Sequence, residues 1–288
     1  MKTVLFPSDK TLAERGFKRF VSTLEDTDPS MRKRKHVKTA LLWTERIAAV
    51  MFIPALISSI LLFGKRESDI EWKELITAPG QTESLVLADK STIDLAPCSR
   101  LIYPSAFNGK ERKVFLFGKA VADISKDPKH PFTIDAGDLD IHVHGTKFEI
   151  VSYPSDMECQ VTLLEGSVSV GFDWEGRSFE KAILPGEVIH CSRIDGSMST
   201  NTVSTRIYQS MIENGGMQFL DVPLGDIAAT LSRQFSCNII IDTPSLMNER
   251  YYASFINGED LDMILSVLSS GGVFKITKAD GGRIHLGK

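Results

Sequence analysis

The stretch LDIHVHGTKFEI, residues 139–150, alternates apolar and polar side chains on both sides of a central Gly145-Thr146 pair. Alternation with a period of two is typical of β-strands that bury one face. A two-residue turn with Gly at its first central position predicts a hairpin in which 143 faces 148 and 141 faces 150. Four apolar side chains then share one face: Ile141, Val143, Phe148 and Ile150. The opposite face carries the polar ones: His142, His144, Lys147 and Glu149.

The two histidines raise the question of a metal site. Asp140, His142 and His144 project from one side of the predicted strand, as zinc ligands could. Lys147 lies opposite His144 in this register, however, and its ammonium group opposes a dication. Because no further ligand cluster lies nearby in the sequence, we favour a solvated sheet face over a metal site.

The surrounding sequence, from about Glu71 to Arg193, repeats the pattern of short alternating segments that end at turn residues. The turn signals are Asp89-Lys90, Gly118-Lys119, Glu165-Gly166 and Pro185-Gly186. Closely spaced turns between period-2 segments predict an all-β domain over residues 70–195.

Residues 213–288 change to an alternation of strand-like and helix-like segments. Strands are predicted for MQFLDV, CNIIID and RYYASFI, helices for PLGDIAATLSRQF and EDLDMILSVLSSGG, and a hairpin for VFKITKADGGRIHLG. The apolar spacing of Leu224, Ile227 and Leu231 recurs in the second helix at Leu261, Ile264 and Leu268. The sequence therefore predicts a small α+β domain, built as a βαβ repeat of two similar halves.

The segment IAAVMFIPALISSILLFG, residues 47–64, carries no charge. As a helix it would be about 27 Å long, which favours a single transmembrane span over a cleaved signal sequence or a buried core helix. The basic run MRKRKHVK precedes it and acidic residues follow it, so residues 1–46 are predicted to be cytoplasmic. The remaining residues would then lie in the periplasm, with the span in the inner membrane.

All four cysteines follow this segment, at positions 98, 159, 191 and 237. An exported location would permit disulfides, and the wide spacing matches no metal knuckle. Cys159 shares strand parity with Val161 and Leu163, so a buried free thiol is the favoured interpretation.

The stretch TLAERGFKRFVSTLED, residues 11–26, predicts one amphipathic helix in the cytoplasmic segment. Phe17, Phe20 and Leu24 lie on its apolar face. An isolated helix of this length is marginally stable in water. It would need a partner, either another protein or the membrane surface; a tail that docks on nothing is the alternative.

Charge and motifs narrow the function classes. The net charge of −4 gives no basic field for nucleic acid. The sequence has no phosphate-binding glycine loop, no G-x-S-x-G elbow and no H-E-x-x-H. We therefore expect no catalysis, no cofactor and no metal; scattered carboxylates that pair in space leave glycoside hydrolysis as the enzymatic alternative.

The strand-rich region resembles the FecR-type anti-sigma factors. The motifs that carry the resemblance occur in order: Tyr103-Pro104, Arg112 to Ala120, Pro131-Phe132, Gly145-Thr146-x-Phe148 and Leu164-x-Gly166-x-Val168. Two departures from the family pattern, at Asp89-Lys90 and at Lys119, lie at turns. The segment that begins MQFLDVPLGDIAATLSRQF resembles the small domain of Bacteroidetes members, which is similar to the short N-terminal domain of secretins and TonB-dependent receptors.

The resemblance implies signal transduction across a membrane. It implies that the cytoplasmic end binds an extracytoplasmic-function sigma factor. Phe17, Phe20 and Leu24 are predicted to be the centre of this contact, because nothing else in the cytoplasmic segment is apolar enough. It implies that the periplasmic part contacts the signalling domain of a TonB-dependent outer-membrane transporter. Residues 1–46 are shorter than the family's usual cytoplasmic region, so a membrane-tethered protein- or glycan-binding module without sigma control is the alternative.

Overall fold

A computed structural model of the chain describes residues 10–27, 52–59, 70–279 and 282–288. The chain divides into two compact units, Met1–Ser68 and Asp69–Lys288. In the first unit, helix α1 spans Lys10–Thr27, as predicted, and residues 52–59 are helical (α2). The predicted span 47–64 extends beyond the described residues on both sides. Among the residues that are described, no helix is long and apolar enough to cross a membrane.

The second unit begins with thirteen strands. These are β1 (Trp72–Ile76), β2 (Glu83–Val86), β3 (Thr92–Leu95), β4 (Arg100–Pro104), β5 (Arg112–Asp123), β6 (Phe132–Asp135), β7 (Leu139–Val143), β8 (Lys147–Ser152), β9 (Glu158–Glu165), β10 (Val168–Trp174), β11 (Arg177–Ile183), β12 (Glu187–Ser192) and β13 (Met198–Thr202). We call this part the β domain. Its strands confirm the all-β character expected from the alternating sequence.

Two sheets share strand β5. Its first half pairs with β4 and β6, and its second half pairs with β3 and β8. The first sheet runs β1-β4-β5-β6-β7-β10-β11, and the second runs β2-β3-β5-β8-β9-β12-β13. Alternate side chains of β5 are buried along its length, and the inner faces of both sheets pack into one apolar core.

Gly118 is where β5 passes from one sheet to the other. Its φ of +121° is outside the range that side chains usually allow. A Cβ at this position would lie 2.7 Å from Cβ of Ser99, closer than real Cβ contacts. The turn predicted at Gly118-Lys119 is therefore wrong: β5 continues through these residues as one strand and changes sheet there.

The hairpin predicted at Gly145-Thr146 is wrong. Val143 pairs with Phe132 and Val168 in the first sheet, whereas Phe148 pairs with Ala122 and Leu163 in the second. The four apolar side chains share one core as expected, but they enter it from opposite sheets. Period-2 alternation fixes which face is buried, and a crossing between two sheets satisfies it as well as a hairpin does.

A helix that the sequence patterns did not predict, α3 (Thr205–Glu213), follows β13. After it come β14 (Met217–Pro223), α4 (Leu224–Phe235), β15 (Asn238–Ile241), a 3₁₀ turn (Pro244–Leu246), β16 (Arg250–Phe255), α5 (Leu261–Ser269), β17 (Lys275–Ala279) and β18 (Arg283–Gly287). We call residues 217–288 the C-terminal domain. Every strand and helix predicted for this region is present.

The C-terminal domain has its own core. β14 pairs antiparallel with β16, and β18 lies between β15, to which it is parallel, and β17. Both helices bury their predicted apolar faces in this second core, which is separate from that of the β domain.

Replacing Gly118 by Ala should destabilise the β domain by about 2 to 4 kcal/mol, because the methyl group meets Ser99 in an unfavourable backbone conformation. Gly137→Ala is the matched control: Gly137 also has a positive φ, +78°, but nothing lies within 4 Å of an added Cβ. The control should lose about 1 kcal/mol. Chemical denaturation of the two variants measures the difference, and equal losses would contradict a steric role for the crossing.

Candidate functional site: the interdomain cleft

A cleft lies between the outer face of the second sheet, helix α3 and the C-terminal domain. Its cavity has a volume of about 420 Å³ and is lined from β3, β5, β8, β9 and β12 on one side and from α3, β14 and α4 on the other. The size is in the range of small-molecule pockets. Most of the buried charged groups in the described part of the second unit line it.

Glu149 lies on the floor of this cleft, and its place corrects a prediction. It was expected on the solvated face beside the histidines, but only 2% of it is exposed. Tyr208 of α3 donates a hydrogen bond of 2.6 Å to its carboxylate, and Nζ of Lys119 lies 2.9 Å from it. Helix α3 therefore covers this part of the sheet. Burial, together with the negative charge of Glu149, raises the pKa of Tyr208.

The loop between β8 and β9, residues 153–157, forms the edge of the cleft. Arg193, which follows β12, donates to the backbone oxygens of Tyr153, at 2.8 Å, and Asp156, at 3.1 Å. It also donates to Oγ of Ser152 at 2.9 Å and forms an ion pair with Asp138. The loop is therefore fixed from within the β domain.

Asp226, in the first turn of α4, binds the backbone of this region. Its two carboxylate oxygens accept hydrogen bonds from the N–H groups of Met157, at 2.8 Å, and Glu158, at 3.0 Å. Burial raises the pKa of Asp226 to about 6, and the negative charges of Asp156 and Glu158 act in the same direction, against the two hydrogen bonds.

Arg233, two turns further along α4, holds the same loop through its side chain. Its guanidinium donates to both oxygens of Asp156, at 2.8 and 2.7 Å. Its Cζ lies 3.6 Å from the centre of the Tyr153 ring. A two-point ion pair stacked on an aromatic ring is a geometry that arginine provides and lysine does not.

Glu158 and His190 complete the polar lining. Arg250 of β16 donates to Glu158 at 2.6 Å, and Nδ1 of His190 lies 4.0 Å from the other oxygen of the same carboxylate. Burial lowers the pKa of His190 to about 4, and the positive charge of Arg250 lowers it further. His190 is therefore neutral at pH 7, and the charges around it are balanced by one another.

The carboxylates of the cleft contact arginines, a lysine or backbone N–H groups from the elements around them. Groups of three or more His, Cys, Asp or Glu side chains that could hold a metal ion are absent from the described residues. The cleft lies between the β domain and the C-terminal domain, and its charged residues make hydrogen bonds and ion pairs between them.

Profiles of known families match both sides of the cleft. The profile described as FecR protein matches residues 73–169, and the profile described as FecR, C-terminal matches residues 217–286. Together they cover more than half of the chain. The chain belongs to the FecR family of anti-sigma factors.

Solved structures agree with this assignment at the level of the fold. Two crystal structures of a candidate anti-sigma factor from Parabacteroides distasonis ATCC 8503, at 2.50 and 1.65 Å resolution, are each 22% identical in sequence to the chain. The first has a TM-score of 0.68 and covers 76% of this chain and 99% of its own; the second has 0.67, 75% and 99%. No curated protein matches the chain.

The two FecR matches divide the cleft residues between them. Tyr153, Asp156 and Glu158 lie in the first matched region, and Asp226 and Arg233 lie in the second. The sequence patterns did not single out any of these five. An acidic residue is common in the first turn of a helix, where it interacts favourably with the helix dipole. The position of Asp226 in the sequence therefore did not indicate a contact between domains.

The residues predicted for the sigma-factor contact of this FecR-family chain lie on α1. Phe17 and Phe20 are 63% and 59% exposed. The backbone of Leu24 is helical, and its side chain lies outside the described residues. The structure thus presents the two phenylalanines on the predicted helix and neither confirms nor contradicts their role.

The histidine pair and the cysteines have structural explanations. His142 and His144 are exposed, as expected for a solvated sheet face, and His142 lies 3.2 Å from the hydroxyl of Thr133. All four cysteines are free. Cys159 is buried, as predicted, and lies directly across from Cys191 on β12.

Asp226 and His190 should give this protein opposite pH dependences. Asp226 has a folded-state pKa above the unfolded 3.8, so its contribution is full below about pH 4 and is lost as the pH rises through about 6. His190 has a folded-state pKa below the unfolded 6.5, so its contribution is lost as the pH falls from 6.5 to about 4. Between pH 4 and 6.5, the unfolding free energy of Asp226→Asn should increase relative to that of the wild type as the pH rises. The unfolding free energy of His190→Gln should decrease relative to that of the wild type over the same range. Each change should be on the order of 3 kcal/mol.

Unfolding free energies of the wild type and the two variants, measured from pH 4 to 7, check this prediction. Each variant is the control for the other, because both alter one buried group of the same cleft. Parallel pH profiles for the three proteins would contradict it.

Proposed function

We propose that this FecR-family protein is a single-pass inner-membrane regulator that binds an extracytoplasmic-function sigma factor through its cytoplasmic end. Its β domain and C-terminal domain lie in the periplasm and receive a signal from the signalling domain of a TonB-dependent outer-membrane transporter. It acts by binding its protein partners. It catalyses no reaction, needs no cofactor and does not contact nucleic acid. Membership of the FecR family supports the anti-sigma role; the membrane topology is supported by the uncharged segment 47–64 and its basic flank.

The observation that carries the sigma-factor contact is the exposure of the apolar face of α1. Phe17, Phe20 and Val21 lie on about one turn of α1, and more than a third of the surface of each residue is exposed. Such a face on a helix is the usual element for helix-in-groove recognition, in which aromatic side chains supply most of the binding energy.

Replacing Phe17 and Phe20 together by Ala should weaken sigma-factor binding by about 2 kcal/mol or more, because two aromatic anchors are lost. Co-purification of the full-length chain with the sigma factors of its own organism measures this. Arg15→Ala/Arg19→Ala is the matched control, since both arginines lie on the opposite side of α1 and are exposed.

Three results decide the assignment. Capture of one sigma factor, lost in the phenylalanine variant and kept in the arginine variant, would establish it. Equal capture by all three proteins would move the contact away from α1. No capture by the wild type would favour the tethered binding module instead.

The topology has a separate test. Alkaline phosphatase folds into an active enzyme only where its disulfides can form, so a fusion after Lys288 should be active in the intact cell. A fusion after Lys38, at the end of the basic run, should be inactive. Activity in the reverse order would overturn the periplasmic placement.

A further inference from the structure

The two domains of the second unit are joined by polar contacts between separate apolar cores. The core of the β domain and the core of the C-terminal domain are distinct clusters. The contacts described above between them are hydrogen bonds, ion pairs and the stacking of Arg233 on the ring of Tyr153, and the cavity of about 420 Å³ lies in the same interface. Interfaces of this polar kind between domains of one chain usually permit relative motion.

The contacts converge on one face of the β domain. Residues 156–158 receive Asp226, Arg233 and Arg250, all from the C-terminal domain. A fourth contact runs the other way, from the N–H of Gly80 to the backbone oxygen of Arg233 at 2.9 Å. We call this set of four contacts the latch.

The chain between the domains has the properties of a hinge. Helix α3 stays with the β domain, because Tyr208 is bound to Glu149 and packs with Leu164 and Met211. Gly215 follows the helix with a φ of +72°, and nothing lies within 4 Å of where its Cβ would be. A few residues at the end of an element can absorb the rotation of a whole domain.

We propose that the latch can open. When its four contacts break together, the C-terminal domain rotates away from the β domain as a rigid unit about Gly215. Release returns Asp156, Asp226 and Arg233 to water and restores their hydration, which offsets most of the lost attraction. A partner that binds the freed surface of either domain therefore shifts the equilibrium by its differential affinity alone. That this release carries a signal rests on the proposed function; the opening itself does not.

The N–H groups of Met157 and Glu158 report on the latch directly, because Asp226 is their acceptor. In the full-length chain, Arg233→Ala should increase hydrogen exchange at these two amides by roughly tenfold or more. Val161 and Ile227 lie in the two cores, and exchange at their amides should change little. Arg283→Ala, which removes an exposed arginine from the same domain, is the matched control and should leave all four amides unchanged.

A designed disulfide separates domain release from local loop motion. A Cβ added at Gly80 would lie 3.8 Å from Cβ of Ser236, which is the usual separation in a disulfide. Gly80→Cys/Ser236→Cys joins the two domains; Cys98→Ser and Cys237→Ser remove the two partly buried thiols that could compete. Combined with Arg233→Ala, the oxidised form should restore slow exchange at Met157 and Glu158, and reduction should reverse the effect.

Three results would contradict the proposed opening of the latch. Unchanged exchange at Met157 and Glu158 in Arg233→Ala would show that the latch does not hold the domains. Equal acceleration at Val161 and Ile227 would show global unfolding instead. Fast exchange that persists in the oxidised form would assign the motion to the loop. Because none of these readouts involves a sigma factor or a transporter, their failure is distinct from failure of the proposed function.

Discussion

The architecture of the second unit depends on one strand that belongs to two sheets. Strand β5 is twelve residues long, and its halves bond to different neighbours on either side of Gly118. Because β5 is the strand that belongs to both sheets, its passage at Gly118 connects them. Ser99 fills the space that a side chain at Gly118 would need. It also accepts a hydrogen bond from the N–H of Lys119, at 3.0 Å, which ties the crossing to the strand β4 that follows Ser99.

The second sheet then provides the surface on which the rest of the unit is built. Its inner face joins the core, and its outer face is covered by α3 and by the C-terminal domain. This outer face carries the buried polar groups Glu149, Thr162 and His190. Tyr208 of α3 donates to Glu149 at 2.6 Å and lies 3.5 Å from the hydroxyl of Thr162, so the covering helix supplies a polar partner to two of them.

The sequence predicted local structure well where periodicity alone decides it. The alternation in 139–150 placed Ile141, Val143, Phe148 and Ile150 correctly in the core, and the period of 3.6 placed α4 and α5. It failed where two arrangements satisfy the same pattern. A hairpin and a crossing between sheets bury the same side chains, so strand pairing at Gly145 was beyond reach of the pattern. The resemblance to FecR proteins, in contrast, was confirmed because it used the order of several motifs.

The cleft could not be predicted for a different reason. Glu149 alternates as a solvent-facing residue should, and α3, an amphipathic helix that we did not predict, covers it and makes its position a buried one. Asp156 and Arg233 lie 77 positions apart, and nothing local in either segment indicates the other. Contacts between domains depend on how two finished surfaces meet, which single-sequence periodicity does not encode.

The place of the last strand has a consequence for how the molecule is made. Strand β18 is the middle strand of its sheet, between β15 and β17, and it buries Ile284 and Leu286 in the second core. The β domain has all its strands once Thr202 has left the ribosome, whereas the C-terminal domain lacks its central strand until Gly287 has followed. The β domain can thus complete its core first, and it offers a finished docking face to a domain whose sheet is completed later.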